Sequence, residues 1–213
     1  MIKFIIYTIY IILFLTFGLC NSKVQNIAFC LESNGEVTRK GFARNGKVFK
    51  GDIIYDGDKI IVGNNGFISF LNIYERSEVR VFKNSSIKIF NTKDKLNNID
   101  KCEIAIFGGK IIIDKIEFNN RELKIKSPSS TLYSKNSHFF VENKDKPLYD
   151  DLSYCVFTTI EGNILVENLE SKKLIFLNSG ETIISTKEGK FLQLDTFRDG
   201  DGIYNILSQN LSY

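Results

Sequence analysis

The sequence predicts an all-β protein built as a stack of short strands, arranged as a sandwich, a jelly roll or a short solenoid. Short apolar runs follow one another through residues 35–89, and glycine-containing turns such as Asn45-Gly46, Asp56-Gly57 and Asn65-Gly66 close them. Turn residues at this spacing between apolar runs are typical of strands and not of helices. Only 2 prolines occur in 213 residues, which argues against a linker or a disordered tail.

The composition indicates one folded domain behind a leader. Hydrophobic residues make up 43% of the chain and aromatic residues 13%, enough to bury one sizeable core. We therefore expect a leader over 1–22, a β domain over 23–194 and a C-terminal segment over 195–213. The formal net charge is +3 and charged residues are interspersed singly along the chain, so the sequence does not indicate a nucleic-acid partner.

The N-terminus has the features of an export signal. Lys3 precedes an apolar segment over residues 4–15 that only Thr8 interrupts, and small residues follow within 16–22. We expect cleavage near 18–22. The alternative is a retained anchor, although residues 4–19 fall short of the roughly 20 that span a bilayer. A third possibility is lipidation of Cys20, but a bulky leucine precedes it where lipoprotein signals have a small residue.

Three cysteines, Cys30, Cys102 and Cys155, lie behind the leader. They are far apart in the sequence, so they form neither a C-x-x-C motif nor a metal-type spacing. Cys155 stands in an apolar run where a small buried residue is expected. We expect buried thiols; the alternative, in an oxidising compartment, is one bridged pair and one thiol left over.

In chain order, the pattern predicts about ten to fourteen strands and almost no helix. An apolar run over 24–31 is the first, and 67–73 is a later one. In the strand over 78–82, Val79 and Val81 face one side while Glu78 and Arg80 face the other.

Further along, residues 93–101 are polar and predict a surface loop. Residues 123–126 alternate cleanly between apolar and charged side chains. The following Ser127-Pro128 ends that strand, because proline has no N–H to donate to a sheet.

Two Gly-Asp pairs, Gly51-Asp52 and Gly57-Asp58, surround an apolar pair. Glycine permits a positive φ and aspartate accepts hydrogen bonds from its own turn, so this stretch predicts a corner between strands. The alternative is a Ca²⁺ site, but the regular D-x-D-x-D spacing is absent.

A motif of glycine, a polar residue and valine or isoleucine recurs. It stands at Gly35-Glu36-Val37, Gly109-Lys110-Ile111 and Gly162-Asn163-Ile164. The intervals are too unequal for a short-period solenoid. The recurrence instead suggests similar strand–turn units in one core.

Several motifs, in this order, resemble the FecR domain family of bacterial envelope proteins. In that family an aliphatic strand, an acidic-Gly turn and a second strand lead to Asn-Ser; here the strand over 67–73 is followed by Tyr74-Glu75-Arg76-Ser77 and then by Asn84-Ser85. The Gly-x-Val strand and later Gly-Glu turn of the family are similar to Gly162-Asn163-Ile164 and Gly180-Glu181. The resemblance covers roughly residues 24–194.

The family's V-R-G-T-x-F-x-V stretch resembles residues 134–141, although Lys135-Asn136-Ser137 replaces its Arg-Gly-Thr centre. Asparagine tolerates the left-handed conformation that glycine would adopt, so we expect the turn to survive with Asn136 in that conformation. Lysine does not reproduce the two-pronged donor of arginine, so a function that needs the arginine is not expected here.

The resemblance implies an exported, non-catalytic binding or scaffold domain of the bacterial cell envelope, periplasmic or extracellular, whose partner is an envelope protein or a polysaccharide. In signalling members of the family a cytoplasmic tail controls a sigma factor. Here only Met1, Ile2 and Lys3 precede the apolar segment, so we expect no such tail. The alternatives are a membrane-anchored envelope signalling component and a secreted carbohydrate-active protein or enzyme. The ligand is not specified.

No motif predicts catalysis, a cofactor or a metal. His138 is the one histidine, and no second base or orienting acid accompanies it. No G-x-S-x-G, P-loop or dinucleotide-binding fingerprint occurs. We therefore predict no catalytic, cofactor-binding or metal-binding residues.

After an Asp-rich turn over 195–202, the period of the sequence changes. The apolar residues Ile203, Ile206, Leu207 and Leu211 fall on one helical stripe. We expect a short amphipathic helix over 202–211, docked on the β core. A disordered tail or a helix that docks on a partner is the alternative.

Overall fold

The computed structural model describes residues 25–93, 100–115, 121–144 and 153–193. These residues form seventeen strands and no helix, which confirms the all-β prediction, with more strands than expected. Among them, no helix is long and apolar enough to span a membrane. The predicted signal segment and the predicted C-terminal helix over 202–211 lie outside the described residues.

The strands vary from three to sixteen residues. In chain order they are β1 Asn26–Asn34, β2 Val37–Lys40, β3 Asn45–Lys47, β4 Ile53–Tyr55, β5 Lys59–Val62, β6 Phe67–Asn72, β7 Ser77–Val81, β8 Ser85–Lys93, β9 Asp100–Lys115, β10 Leu123–Lys126, β11 Ser130–Ser134, β12 His138–Lys144, β13 Tyr154–Glu161, β14 Asn163–Asn168, β15 Leu174–Asn178, β16 Thr182–Thr186 and β17 Phe191–Gln193.

The strands form two sheets that share β9. The first sheet has the order β4-β1-β6-β7-β9-β12-β13-β16-β17. The second has the order β3-β2-β5-β8-β9-β10-β11-β14-β15. All of these pairings are antiparallel except β9 with β10. Inward side chains of both sheets belong to one hydrophobic cluster, so the architecture is a sandwich.

Strand β9 crosses from one sheet to the other at Gly109. Residues before it pair with β8 and β10 in the second sheet, and residues from Gly109 onward pair with β7 and β12 in the first. Gly109 has a φ of 86°. A Cβ atom there would lie 2.5 Å from Ser85 Cα and 2.6 Å from Asn84 O. Only glycine fits, because both the conformation and the space exclude a side chain.

The other two copies of the recurring motif also mark crossings between the sheets. Gly35 (φ 65°) joins β1 of the first sheet to β2 of the second, and Gly162 (φ 81°) joins β13 to β14 in the same sense. A Cβ at Gly162 would lie 2.8 Å from Asn136 O. The recurrence in the sequence therefore corresponds to a recurring corner of the sandwich.

The core is built from alternating strand positions, as the sequence predicts. Val79 and Val81 of β7 are fully buried, whereas Glu78 and Arg80 face outward and are partly exposed. Each buried valine or isoleucine contributes roughly 1.5–3 kcal/mol relative to an exposed one. Strand β10 alternates in the same way, and it ends before Ser127-Pro128 as expected.

Two hairpins use the same asparagine-centred turn, which the sequence did not reveal. Asn72 Oδ1 accepts hydrogen bonds from Tyr74 N at 2.9 Å and Glu75 N at 3.0 Å. Asn168 Oδ1 likewise accepts from the backbone N–H groups two and three residues ahead, both at 3.0 Å. Four residues after each asparagine, Arg76 and Lys172 adopt positive φ angles of 52° and 58°. Arg76 and Lys172 thus occupy equivalent left-handed positions in the two turns.

Two local expectations are corrected. Asn136 does not take a positive φ. The residue with a positive φ at that corner is Gly162, where a Cβ atom would lie 2.8 Å from the carbonyl oxygen of Asn136. Three residues at the ends of the loop predicted over 93–101 belong to strands: Lys93 ends β8, and Asp100 and Lys101 begin β9.

The three described cysteines are buried free thiols, as the sequence predicts, and the alternative of one bridged pair does not occur. Burial, with a smaller contribution from Asp52, raises the pKa of the Cys30 thiol to about 11. Burial raises the pKa of Cys102 and Cys155 further. Thiols with raised pKa values carry little thiolate and are therefore unreactive.

We predict that Gly109→Ala destabilises the protein more than Gly180→Ala. Both glycines have similar φ angles, 86° and 83°, so both substitutions cost about 1–2 kcal/mol of backbone strain. Gly180 has open space around a new Cβ, whereas Gly109 does not, so Gly109→Ala should lose at least about 1 kcal/mol more. Urea denaturation measures both. Equal losses would show that close packing at the β9 crossing is unimportant.

Candidate binding groove

A groove of about 640 Å³ lies on the outer face of the first sheet. Its walls come from four places: the end of β1, the β5–β6 turn, the outward side of β6 and β7, and the residues after β7. No binding residue was predicted from the sequence, and His138 is not among the residues that line this groove. The lining residues are Glu32, Asn34, Asn64, Asn65, Gly66, Phe67, Glu78, Arg80, Phe82 and Lys83.

A charged pair on β7 forms one wall of the groove. Glu78 and Arg80 are two residues apart on the strand, so their side chains point to the same side of the sheet. Arg80 Nε donates to Glu78 Oε1 and Arg80 Nη2 to Glu78 Oε2, both at 3.0 Å. Ser69 Oγ of the neighbouring β6 donates to Glu78 Oε1 at 2.9 Å. This geometry fixes both charged groups before a ligand arrives.

These contacts shift the titration of both groups. The hydrogen bonds from Arg80 lower the pKa of the Glu78 carboxyl below its ordinary value, with Ser69 assisting, while partial burial opposes them. The hydrogen bond to Glu78 raises the pKa of Arg80. Glu78 is therefore ionised at neutral pH.

Another part of the groove lining is apolar. Phe67 and Phe82 meet edge to face, with ring centroids 5.7 Å apart and ring planes at 63°. Phe82 forms a small cluster with Ile112 and Phe140 on the outer face of the first sheet, and Phe67 packs against this cluster. The backbone N–H of Phe82 donates to Lys110 O at 3.1 Å, which ties this wall to the β9 crossing.

Amide side chains border the groove at the crossing between β5 and β6. Asn65 Oδ1 accepts from Glu36 N at 3.2 Å, and Asn34 Nδ2 donates to Glu32 Oε1 at 2.7 Å. The groove therefore combines fixed charges, amide donors and acceptors, and an aromatic wall. A few converging polar groups beside apolar side chains are the usual composition of a binding site.

The two Gly-Asp pairs of the sequence surround a buried arginine side chain. Arg39 is 1% exposed; its Nη2 lies 3.2 Å from Asp52 Oδ2 and its Nη1 lies 3.9 Å from Asp58 Oδ2. Burial raises the pKa of Asp58, although hydrogen bonding to Tyr55 N and the charge of Arg39 oppose it. Within the described ranges, no group of three or more potential metal ligands occurs.

The fold and the groove define a two-sheet β domain with a preformed surface site, and solved structures share this fold. No family model and no curated protein sequence matches the chain. Two crystal structures of a putative anti-sigma factor from Parabacteroides distasonis ATCC 8503, at 1.65 and 2.50 Å resolution, are similar to it with a TM-score of 0.51 and 13% identity.

The likeness to these structures covers 70% of this chain but only 64% and 63% of the two crystallised chains. The chain therefore spans less than two thirds of their length. Because the sequence identity is 13%, the likeness shows a shared fold and nothing further.

We predict that Glu78 stabilises the protein at neutral pH and loses this effect in acid. Because its folded pKa is lowered, the stabilisation is present above the unfolded pKa of about 4.3 and disappears as pH falls through the folded value. The wild type should exceed Glu78→Gln in unfolding free energy at pH 7, and the difference should shrink in acid. Ser69→Ala should give a smaller difference at pH 7. A pH-independent gap between the wild type and Glu78→Gln would contradict the argument.

Proposed function

We propose that this chain is an exported, non-catalytic domain of a bacterial cell-envelope protein of the FecR type, which binds a segment of another envelope protein in its groove. The groove carries the proposal, because its charged pair is prearranged and lies beside two phenylalanine rings. The likeness in fold to a putative anti-sigma factor supports a regulatory role. The motifs that resemble the FecR family support its assignment as an envelope domain.

A protein partner is favoured over a neutral sugar by the arrangement of the rings. Phe67 and Phe82 stand at 63° to each other, whereas sugar-binding grooves usually offer coplanar rings. An edge-to-face pair beside a groove accommodates an apolar side chain instead. Next to it, Asn34, Asn65 and the Glu78–Arg80 pair offer donors and acceptors for the backbone of an extended peptide.

Peptide selection tests the groove. We expect a library of random peptides, selected on the purified protein, to yield ligands that carry an apolar residue next to a charged one. Phe67→Ala and Arg80→Gln should each weaken these ligands by about tenfold, as is common for central contact residues. Lys190→Gln, at an exposed site outside the groove, is the control. Selected ligands that bind all four proteins equally would reject the groove as the site.

Fractionation tests the compartment. Expressed with its own N-terminus in a Gram-negative host, the protein should appear in the periplasm, and mass spectrometry should find a start within 19–23. Full-length protein in the membrane fraction would favour the anchored signalling alternative. Full-length protein in the cytoplasm would refute export, and it would leave the groove experiment unaffected.

A further inference from the structure

Lysines widely separated in the sequence form a row on the outer face of the second sheet. In the sheet register Lys40 of β2 lies opposite Lys59 of β5, and Lys59 lies opposite Lys88 of β8. Neighbouring strands are about 4.8 Å apart, so the three side chains follow one another across the strands. Beyond Ala105 of β9, Lys126 of β10 continues the row. We call these four lysines the lysine row.

The row carries positive charge that the protein itself does not neutralise at the β2–β8 end. Lys126 Nζ lies 2.7 Å from Glu103 Oε1. Within the parts of the chain that the structure describes, Lys40, Lys59 and Lys88 form no ion pair. Like charges directly opposite each other on adjacent strands destabilise a sheet. An anionic ligand would remove this repulsion.

Aromatic rings hold the ammonium groups of Lys59 and Lys88 in place. Lys59 Nζ lies 4.9 Å from the centroid of the Phe107 ring, and Lys88 Nζ lies 4.8 Å from that of Phe90. On the same face, Lys124 Nζ lies 5.3 Å from the Tyr133 ring. Cation–π contacts of this kind restrict a flexible side chain, so less entropy is lost when a ligand binds.

We propose that the lysine row binds an extended acidic polysaccharide that runs across the strands. Such a chain carries negative groups at regular intervals on a stiff backbone, which suits the three cations one strand apart at Lys40, Lys59 and Lys88. A single-stranded nucleic acid needs free ring faces on which to stack its bases. Here lysine ammonium groups already cover the faces of the Phe107, Phe90 and Tyr133 rings, so these faces are not free for bases. An anionic membrane would be favoured by rings that protrude freely, whereas Phe90 and Tyr133 are only partly exposed. The more exposed ring of Phe107 lies against the Lys59 ammonium group.

The test uses polygalacturonate oligosaccharides, which carry a carboxylate on every sugar, and isothermal titration calorimetry on the full chain. The triple variant Lys40→Gln, Lys59→Gln, Lys88→Gln should bind at least about tenfold more weakly and with less salt dependence. The matched control is Lys173→Gln, Lys187→Gln, Lys190→Gln. It has the same change in charge at three exposed positions away from the row, and it should bind within about twofold of the wild type.

Folding does not confound this result. Removing like charges relieves repulsion, so the row variant should melt at or above the temperature of the wild type. If it unfolds, the single variant Lys59→Gln replaces it, with an expected loss of about threefold.

Several outcomes would overturn the proposal. One is an absence of polygalacturonate binding by the wild type, and another is an equal loss in the row variant and the control. Neutral dextran that binds as well as polygalacturonate would also refute it. Tighter binding of oligothymidylate, polyglutamate or phosphatidylglycerol vesicles, lost in the row variant, would assign the row to that class of partner instead.

Discussion

The structure depends on one strand, β9, which belongs to both sheets and crosses between them at Gly109. Its flanking residues pack into the same core, so the crossing fixes how the sheets lie on each other. Ser85 Oγ accepts the backbone N–H of Lys110 at 2.9 Å just after the crossing. The Lys110 carbonyl in turn accepts the N–H of Phe82, in the wall of the groove. The site is therefore held by the same corner that joins the sheets.

The two arginine–carboxylate groups have different physical roles. Around Arg39, burial raises the pKa of Asp58 even beside a guanidinium, as expected when the cost of desolvation exceeds the attraction between the charges. Such a cluster contributes little net stability, but it fixes the β2 and β4–β5 corner in one arrangement. At Arg80 the pair is partly exposed and the pKa of Glu78 is lowered. The charges of that second pair are the more exposed, since Arg80 is 26% and Glu78 20% exposed whereas Arg39 is 1% and Asp58 0% exposed.

The features predicted from the sequence are those that local pattern determines. Alternation placed Val79 inward and Arg80 outward, and the recurring Gly-polar-Val/Ile motif marked the corners at Gly35 and Gly162. Features set by pairing were not predictable. Lys40, Lys59 and Lys88 are separated by tens of residues, and only the register of three strands brings them together. For this reason, the charged residues are interspersed singly along the sequence although these lysines are neighbours in the sheet. The outward side chains of β7 were the one local signal of the groove, but the turns that complete it come from other crossings.

The groove and the lysine row lie on opposite outer faces of the sandwich. Glu78 and Arg80 point away from the core on the first sheet, and Lys59 and Lys88 do so on the second. Between them lies a single cluster of packed aliphatic and aromatic side chains. Ligands on the two faces therefore do not compete for space or for the same charges. The two proposed partners, a protein segment in the groove and an acidic glycan on the lysine row, would therefore occupy separate faces of the domain.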